Sequence, residues 1–163
     1  MTAPVEKLDK TVEKIMKELK EVNLEKRRLI KELAEKESAV GQAKTAEATV
    51  EAHGISIVSR DFGEVIDVDR MVQTASEMIK RNEATVMLFY GSNGKTCRLL
   101  VMAGETAVQK GVNANQIVKE VAPIFGGGGG GRPNFAQGGG TKCDRLQETV
   151  AAAEEALKKQ LNR

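Results

Sequence analysis

The sequence predicts an α+β fold. A long N-terminal helix or helical subdomain, coiled-coil or bundle-forming, precedes a small globular domain with a mixed β-sheet flanked by helices. Three observations predict it. Apolar residues near the N-terminus recur at alternating spacings of three and four. Two later runs, residues 85–90 and 97–103, are apolar over strand-like lengths. Amphipathic helical patterns lie before and after those runs.

In the first helix the seam is Val5, Leu8, Val12, Ile15, Leu19, Val22, Leu29 and Leu33, with Lys26 at the one skipped position. Pro4 suits a first-turn position. Glu and Lys fill the other faces, giving a favourable Glu32–Lys36 pair and an unfavourable Glu21–Glu25 pair. A seam this narrow has nothing to bury against in a solitary helix, so it needs another helix. Self-association meets that need better than packing on the chain's own globular half, because the seam is long and that half is small. The eight seam residues are therefore the candidate dimerisation residues. Met16, Leu24 and Ile30 widen the stripe, so a bundle and a two-stranded coil both fit. Gly41 interrupts the pattern. Either residues 42–52 form a second, weaker helical piece or one bent helix runs through Gly41. Gly54 is read as a left-handed cap after His53.

The globular half reads as follows. Residues 55–59 alternate as a strand. Asp67 or Asp69 caps a helix with Met71, Val72, Ala75, Met78 and Ile79 on one face. Residues 85–90 form a buried strand that Gly91-Ser92-Asn93-Gly94 turns into a second one at 97–103. Asn113 caps a helix that feeds a glycine run, and a final helix spans about 141–161. Three to five strands are expected.

Composition narrows the function. The 163 residues carry a net charge of +2 and 29% charged residues. Residues 1–52 hold 11 Lys/Arg and 11 Asp/Glu, and the remaining 111 hold 14 and 12. Any nucleic-acid site is therefore a local patch. Cys97 and Cys143 form no disulfide framework and no Cys-x-x-Cys pair, as expected of free thiols in a reducing, cytoplasmic setting. Signal-peptide and membrane-spanning patterns are lacking. The start Met1-Thr2-Ala3-Pro4 runs straight into a helix, consistent with a piece of a longer protein.

Catalytic chemistry finds little to work with. The only histidine, His53, reads as a surface residue at an element end. No Cys or His neighbours it, so neither a metal site nor a triad is expected. Gly94-Lys95-Thr96 lacks the phosphate-loop spacing and joins two strands, opening no helix. Lys95 and Arg98 add positive charge there.

The most informative segment is Gly126 to Gly131, six consecutive glycines, followed by Arg132-Pro133-Asn134-Phe135-Ala136-Gln137-Gly138-Gly139-Gly140. Such a run is tolerated where backbone takes positive φ or something approaches it closely. It reads as a loop between two helices, and Arg132, Pro133 and Phe135 argue against a plain linker. Exposed N–H groups beside a helix N-terminus form an anion site. The candidate nucleic-acid-binding residues are Asn113, Asn115, Gly127, Gly128, Gly129, Gly130, Arg132, Asn134, Phe135, Gln137, Lys142 and Arg145. Arg132, Lys142 and Arg145 neutralise phosphate. Asn134 and Gln137 supply hydrogen bonds. Phe135 either stacks on an exposed base or anchors the segment in the core.

The stretch from Val121 through Gly140, with Gly111-Val112-Asn113-Ala114-Asn115-Gln116-Ile117-Val118 upstream, closely resembles the C-terminal, DHHA1-type (C-Ala) domain of alanyl-tRNA synthetases. The resemblance covers about residues 55–163. It implies a helical dimerisation subdomain at 1–52 and a globular tRNA-binding domain at 53–163. It also implies tRNA as partner, held at the elbow where D- and T-loops meet, and tRNA-Ala as the parent enzyme's substrate. Further implied partners are a second copy of the chain and the parent's catalytic and editing domains. The fragment would hold no active site and no cofactor, within an ATP-dependent parent ligase. DHH phosphoesterases share the module and provide the alternative. They typically carry a His among these glycines, and this chain has none.

Overall fold

Helix α1 runs from Val5 to Ala39 in a single stretch. The structure, a computed structural model, describes residues 5–39, 47–64 and 67–162; the side chains of 5–11, 31, 33–39 and 47 lie outside what it describes, as does Gly41. Beyond α1 the chain builds a six-stranded sheet in the order β1-β2-β3-β4-β6-β5. Its strands are β1 (Glu47–Ala52), β2 (Ile55–Asp61), β3 (Thr85–Ser92), β4 (Cys97–Ala103), β5 (Gly127–Arg132) and β6 (Phe135–Gly140). The helices are α2 (Val68–Arg81), α3 (Glu105–Gln109), α4 (Ala114–Val121) and α5 (Leu146–Leu161).

The sheet is mixed because α2 carries the chain from β2 to a parallel β3, while all other neighbours are antiparallel. Asp67 caps α2, its carboxylate accepting from the N–H groups of Asp69 and Arg70. Strand β3 is buried on both faces, and alternate residues divide between two cores. Val86, Leu88 and Tyr90 join α4, α5 and Phe125; Met87 and Phe89 join Met71 and Ala75 of α2. The sheet thus lies between α2 on one face and α3–α5 on the other, and the α+β class holds.

Several elements differ from the sequence reading. The strands are six, against an expected three to five. Residues 47–52 are not a second helical piece: they pair with β2 from Glu47↔Arg60 to Ala52↔Ile55. His53 and Gly54 do not cap a helix. Both have positive φ, +54° and +72°, and make the two-residue turn of the β1–β2 hairpin. The last helix starts later than Thr141, after a 3-10 turn at Cys143–Arg145. The largest difference is the glycine run. Gly127 to Arg132 is no loop but the edge strand β5.

Helix α1 touches the globular part at one place. Ile30, off the seam, is buried at 8% exposure, and Lys26 Nζ lies 3.7 Å from Asp67 Oδ2.

Candidate nucleic-acid interface

The β5–β6 hairpin is built from backbone. Its strands pair from Gly127↔Gly140 to Arg132↔Phe135, with Pro133-Asn134 as the turn. On one face the glycines are obligatory. A Cβ on Gly129 would lie 2.5 Å from Val118 Cγ1, and one on Gly140 would lie 2.2 Å from Phe125 Cδ2 and 2.2 Å from its carbonyl oxygen. Real Cβ atoms do not approach that closely. Helix α4 and Phe125 therefore lie directly on bare peptide.

On the other face the hairpin is open. A Cβ on Gly128 would meet nothing within 4 Å. Helix α2 covers β3 and part of β4 but stops short of the hairpin's far strand. By register, Arg98, Leu100 and Met102 of β4 share this face with Gly139, Gln137 and Phe135 of β6. Gly128, Gly130 and Arg132 of β5 continue it.

The predicted residues divide into three groups. Asn113 and Asn115 hold the fold. The Asn113 side chain caps α4 through Gln116 N–H, and its own N–H donates to Gln160 Oε1 at 2.7 Å. Asn115 Oδ1 accepts the Gly131 N–H at 3.0 Å, and Gly127 N–H donates to the Ala122 carbonyl. Those two bonds satisfy outward donors of an edge strand that would otherwise invite pairing. The anion-binding role read for exposed glycine N–H groups is thus reduced: most sit in the ladder or bond to α4. Asn134 anchors the turn through its carbonyl, which accepts from Ala103 N–H at 2.9 Å. Phe135 is half-buried against the α2 core, in keeping with the anchoring role.

Arg132, Gln137 and Lys142 are exposed. Among the described residues no carboxylate pairs with Arg132 or Lys142. They stand at opposite ends of β5, about 17 Å apart along the strand at the usual rise per residue. They cannot grip one phosphate together, but they suit phosphates several nucleotides apart on a folded backbone. The Lys142 stem lies over Gly126, where a Cβ would sit 2.8 Å from its Cγ.

Arg145 departs from its predicted role. Its Nε and Nη2 donate to Glu148 Oε2 and Oε1 at 2.8 and 2.7 Å. That bidentate pair raises the Arg145 pKa and lowers that of Glu148. The guanidinium charge is already matched, so Arg145 contributes little to an anion site.

Sequence reasoning placed Arg98 outside the candidate set, although a lone cation in an apolar strand is a readable signal. In the structure it is exposed beside Gly139 on the open face. Lys119 of α4 flanks the edge near Gly130. Among the described residues no three His, Cys, Asp or Glu side chains are grouped to hold a metal ion. Nor is any described helix long and apolar enough to cross a membrane.

Cys97 lies in the core beside the half-buried Cys143. Burial, with the neighbouring Cys143 thiol adding to it, pushes the Cys97 pKa to about 11. Almost none of it is thiolate at neutral pH, and the thiolate is the reactive form. Iodoacetamide at pH 7.5 should therefore label Cys143 well before Cys97 in the folded protein, and mass spectrometry of tryptic peptides reads the order. Equal rates would mean that the core around Cys97 opens easily.

The seam residues Val12, Ile15, Leu19, Val22 and Leu29 are all exposed, between 49% and 63%. Met16 and Leu24 are exposed as well. The side chains of Val5, Leu8 and Leu33 lie outside those described.

Comparison with known proteins agrees with this geometry. Residues 54–159 match the DHHA1 domain family. The alanine–tRNA ligase of Methanococcoides burtonii is 36% identical over 157 residues, spanning 96% of this chain and 16% of the ligase. That of Methanothrix thermoacetophila is 32% identical over 161 residues, 99% of this chain and 17% of the ligase. The chain thus spans about a sixth of the length of these relatives. The crystal structure of the C-Ala domain from Aquifex aeolicus alanyl-tRNA synthetase superposes with a TM-score of 0.61 at 26% identity. It covers 68% of this chain and 98% of that one. A DHH-domain protein matches 98% of the chain and 35% of its own length with a TM-score of 0.58, but at 17% identity it attests the fold alone. The chain belongs to the DHHA1 domain family, in the form that alanyl-tRNA synthetases carry as their C-Ala domain.

Proposed function

We propose that this chain is the C-terminal tRNA-binding and self-associating domain of an alanine–tRNA ligase. In this reading the open face and turn of the β5–β6 hairpin meet the tRNA elbow. Helix α1 joins two copies, and the catalytic and editing domains of the parent, ATP-dependent ligase perform the chemistry. The observation that carries the reading is the exposed Arg132 and Lys142 at the two ends of a hairpin that helix α2 leaves uncovered. Two unpaired cations a strand's length apart suit a folded phosphate backbone better than a small anion. The elbow displays dense phosphates and unstacked bases, which favours recognition by shape over sequence.

Arg132→Ala combined with Lys142→Ala should weaken tRNA binding by roughly 1–3 kcal/mol at moderate salt, the scale of losing a few charge-assisted hydrogen bonds. Wild-type affinity should fall steeply with salt and should drop when the D- or T-loop is deleted. Both side chains are exposed, so the melting temperature should hardly move. Filter binding with intact and loop-deleted tRNA measures this. Affinity that survives the double substitution, or that follows the acceptor stem, places the contact elsewhere.

A further inference from the structure

At the end of the hairpin away from the Arg132-Pro133 turn, the open face sinks into a cavity of about 420 Å³. Gly127, Gly128 and Gly139 give its floor, Arg98 its wall, and Thr96 and Thr141 stand at its margin. Ligand pockets of that order hold small molecules of nucleotide size. The Arg98 guanidinium lies over the sheet, its Nη1 3.1 Å from where a Cβ on Gly139 would be. Among the described residues no carboxylate pairs with it. Gly128 is bare and clear of neighbours on this face. Its conformation does not require glycine, since its φ is not in the left-handed region. Packing therefore explains Gly129 and Gly140, but neither packing nor backbone geometry explains Gly128.

We propose that this cavity receives a single unpaired nucleotide, its base lying flat on the peptides around Gly128 and its phosphate drawn to Arg98. A flat surface without side chains admits an aromatic ring face-on, and an unmatched guanidinium serves both phosphate and ring. The threonine hydroxyls offer hydrogen bonds to ribose or base edge. The site rests on the RNA-binding reading above and deepens it: it adds a base contact at the opposite end of the hairpin from Arg132. The same chemistry would also take a free mononucleotide.

The test uses the full chain, labelled with ¹⁵N, and three probes: cytidine 5′-monophosphate, inorganic phosphate and tRNA. The monophosphate should shift the amides of Gly127, Gly128 and Gly139 and the Arg98 Nε–H, and phosphate at equal concentration should not. Gly128→Val adds a β-branched side chain in open space, so the rest of the spectrum should persist while those shifts vanish. Arg98→Ala should weaken the monophosphate about tenfold, the scale of one stacked, charge-assisted base, and Arg132→Ala should leave it unchanged. Gly128→Val should also weaken tRNA by about tenfold if the nucleotide belongs to RNA. Monophosphate binding with tRNA affinity untouched by Gly128→Val would assign the site to a free nucleotide. No shifts at millimolar monophosphate, equal shifts from phosphate alone, or wild-type binding by Gly128→Val would each overturn the proposal. In those cases wild-type tRNA binding, if retained, leaves the hairpin reading standing. Loss of wild-type tRNA binding would defeat that reading on its own.

Discussion

Alanine at Gly140 should lower the melting temperature by roughly 10 °C, whereas alanine at Gly128 should leave it unchanged or raise it slightly. The two glycines sit on adjacent strands of one hairpin, and their environments are opposite. A methyl at Gly140 would stand 2.2 Å from the Phe125 carbonyl oxygen and 2.2 Å from its ring. Phe125 is fully buried, so it has nowhere to retreat. Relieving the clash means lifting the hairpin off the segment after α4, an overpacking penalty of about 3 kcal/mol. For a chain of this size each kcal/mol moves the midpoint by about 2–5 °C. At Gly128 the methyl enters open space, and the substitution restricts the unfolded chain, worth about 0.4–1 kcal/mol of stability. Thermal unfolding followed by circular dichroism compares the two directly. If Gly140→Ala melts like wild type, close approach of backbone is not what keeps glycine there.

The glycine run shows how much of the fold was legible. Sequence alone established that something approaches this segment closely. It did not identify the visitor, which is the chain's own α4, nor that the bare backbone is a strand. Glycine is a poor strand former, so a run of it reads as loop. Only pairing with β6 and the cover of α4 stabilise it as an edge. Strand β1 was hidden for a related reason. Glu47, Ala48, Glu51 and Ala52 favour a helix, and only Thr49 and Val50 favour a strand. The β1–β2 turn and six paired residues override that preference. The two apolar strands, the α2 cap at Asp67 and the α4 cap at Asn113 were all legible, because each depends on local pattern. In the site, exposed Arg132 and Lys142 stand where a patch was expected. The engagement of Asn115 with Gly131, sixteen residues away, depends on tertiary placement that no local pattern carries.

Helix α1 provides the second large effect. Ile15→Glu together with Leu19→Glu should convert a dimer to a monomer. In the single chain these side chains are 56% and 59% exposed, and their seam neighbours are similarly bare. A contiguous apolar stripe of this length is unusual on a solitary surface. Only Ile30 is buried, against α2 near the helix's C-terminal half, so the stripe is not the chain's own packing face. In a paired helix the two positions fall one turn apart on the seam, and each Glu would put a carboxylate among apolar partners at a cost of several kcal/mol. In the monomer the same carboxylates are solvated and add no strain. The globular half should therefore keep its melting temperature while light scattering reports half the mass. A wild type already monomeric at tens of micromolar would refute pairing through α1, as would an unchanged dimer in the double variant. Wild-type dimerisation lost on substitution, with the sheet intact, would fix α1 as the joining element and leave both hairpins free to meet RNA.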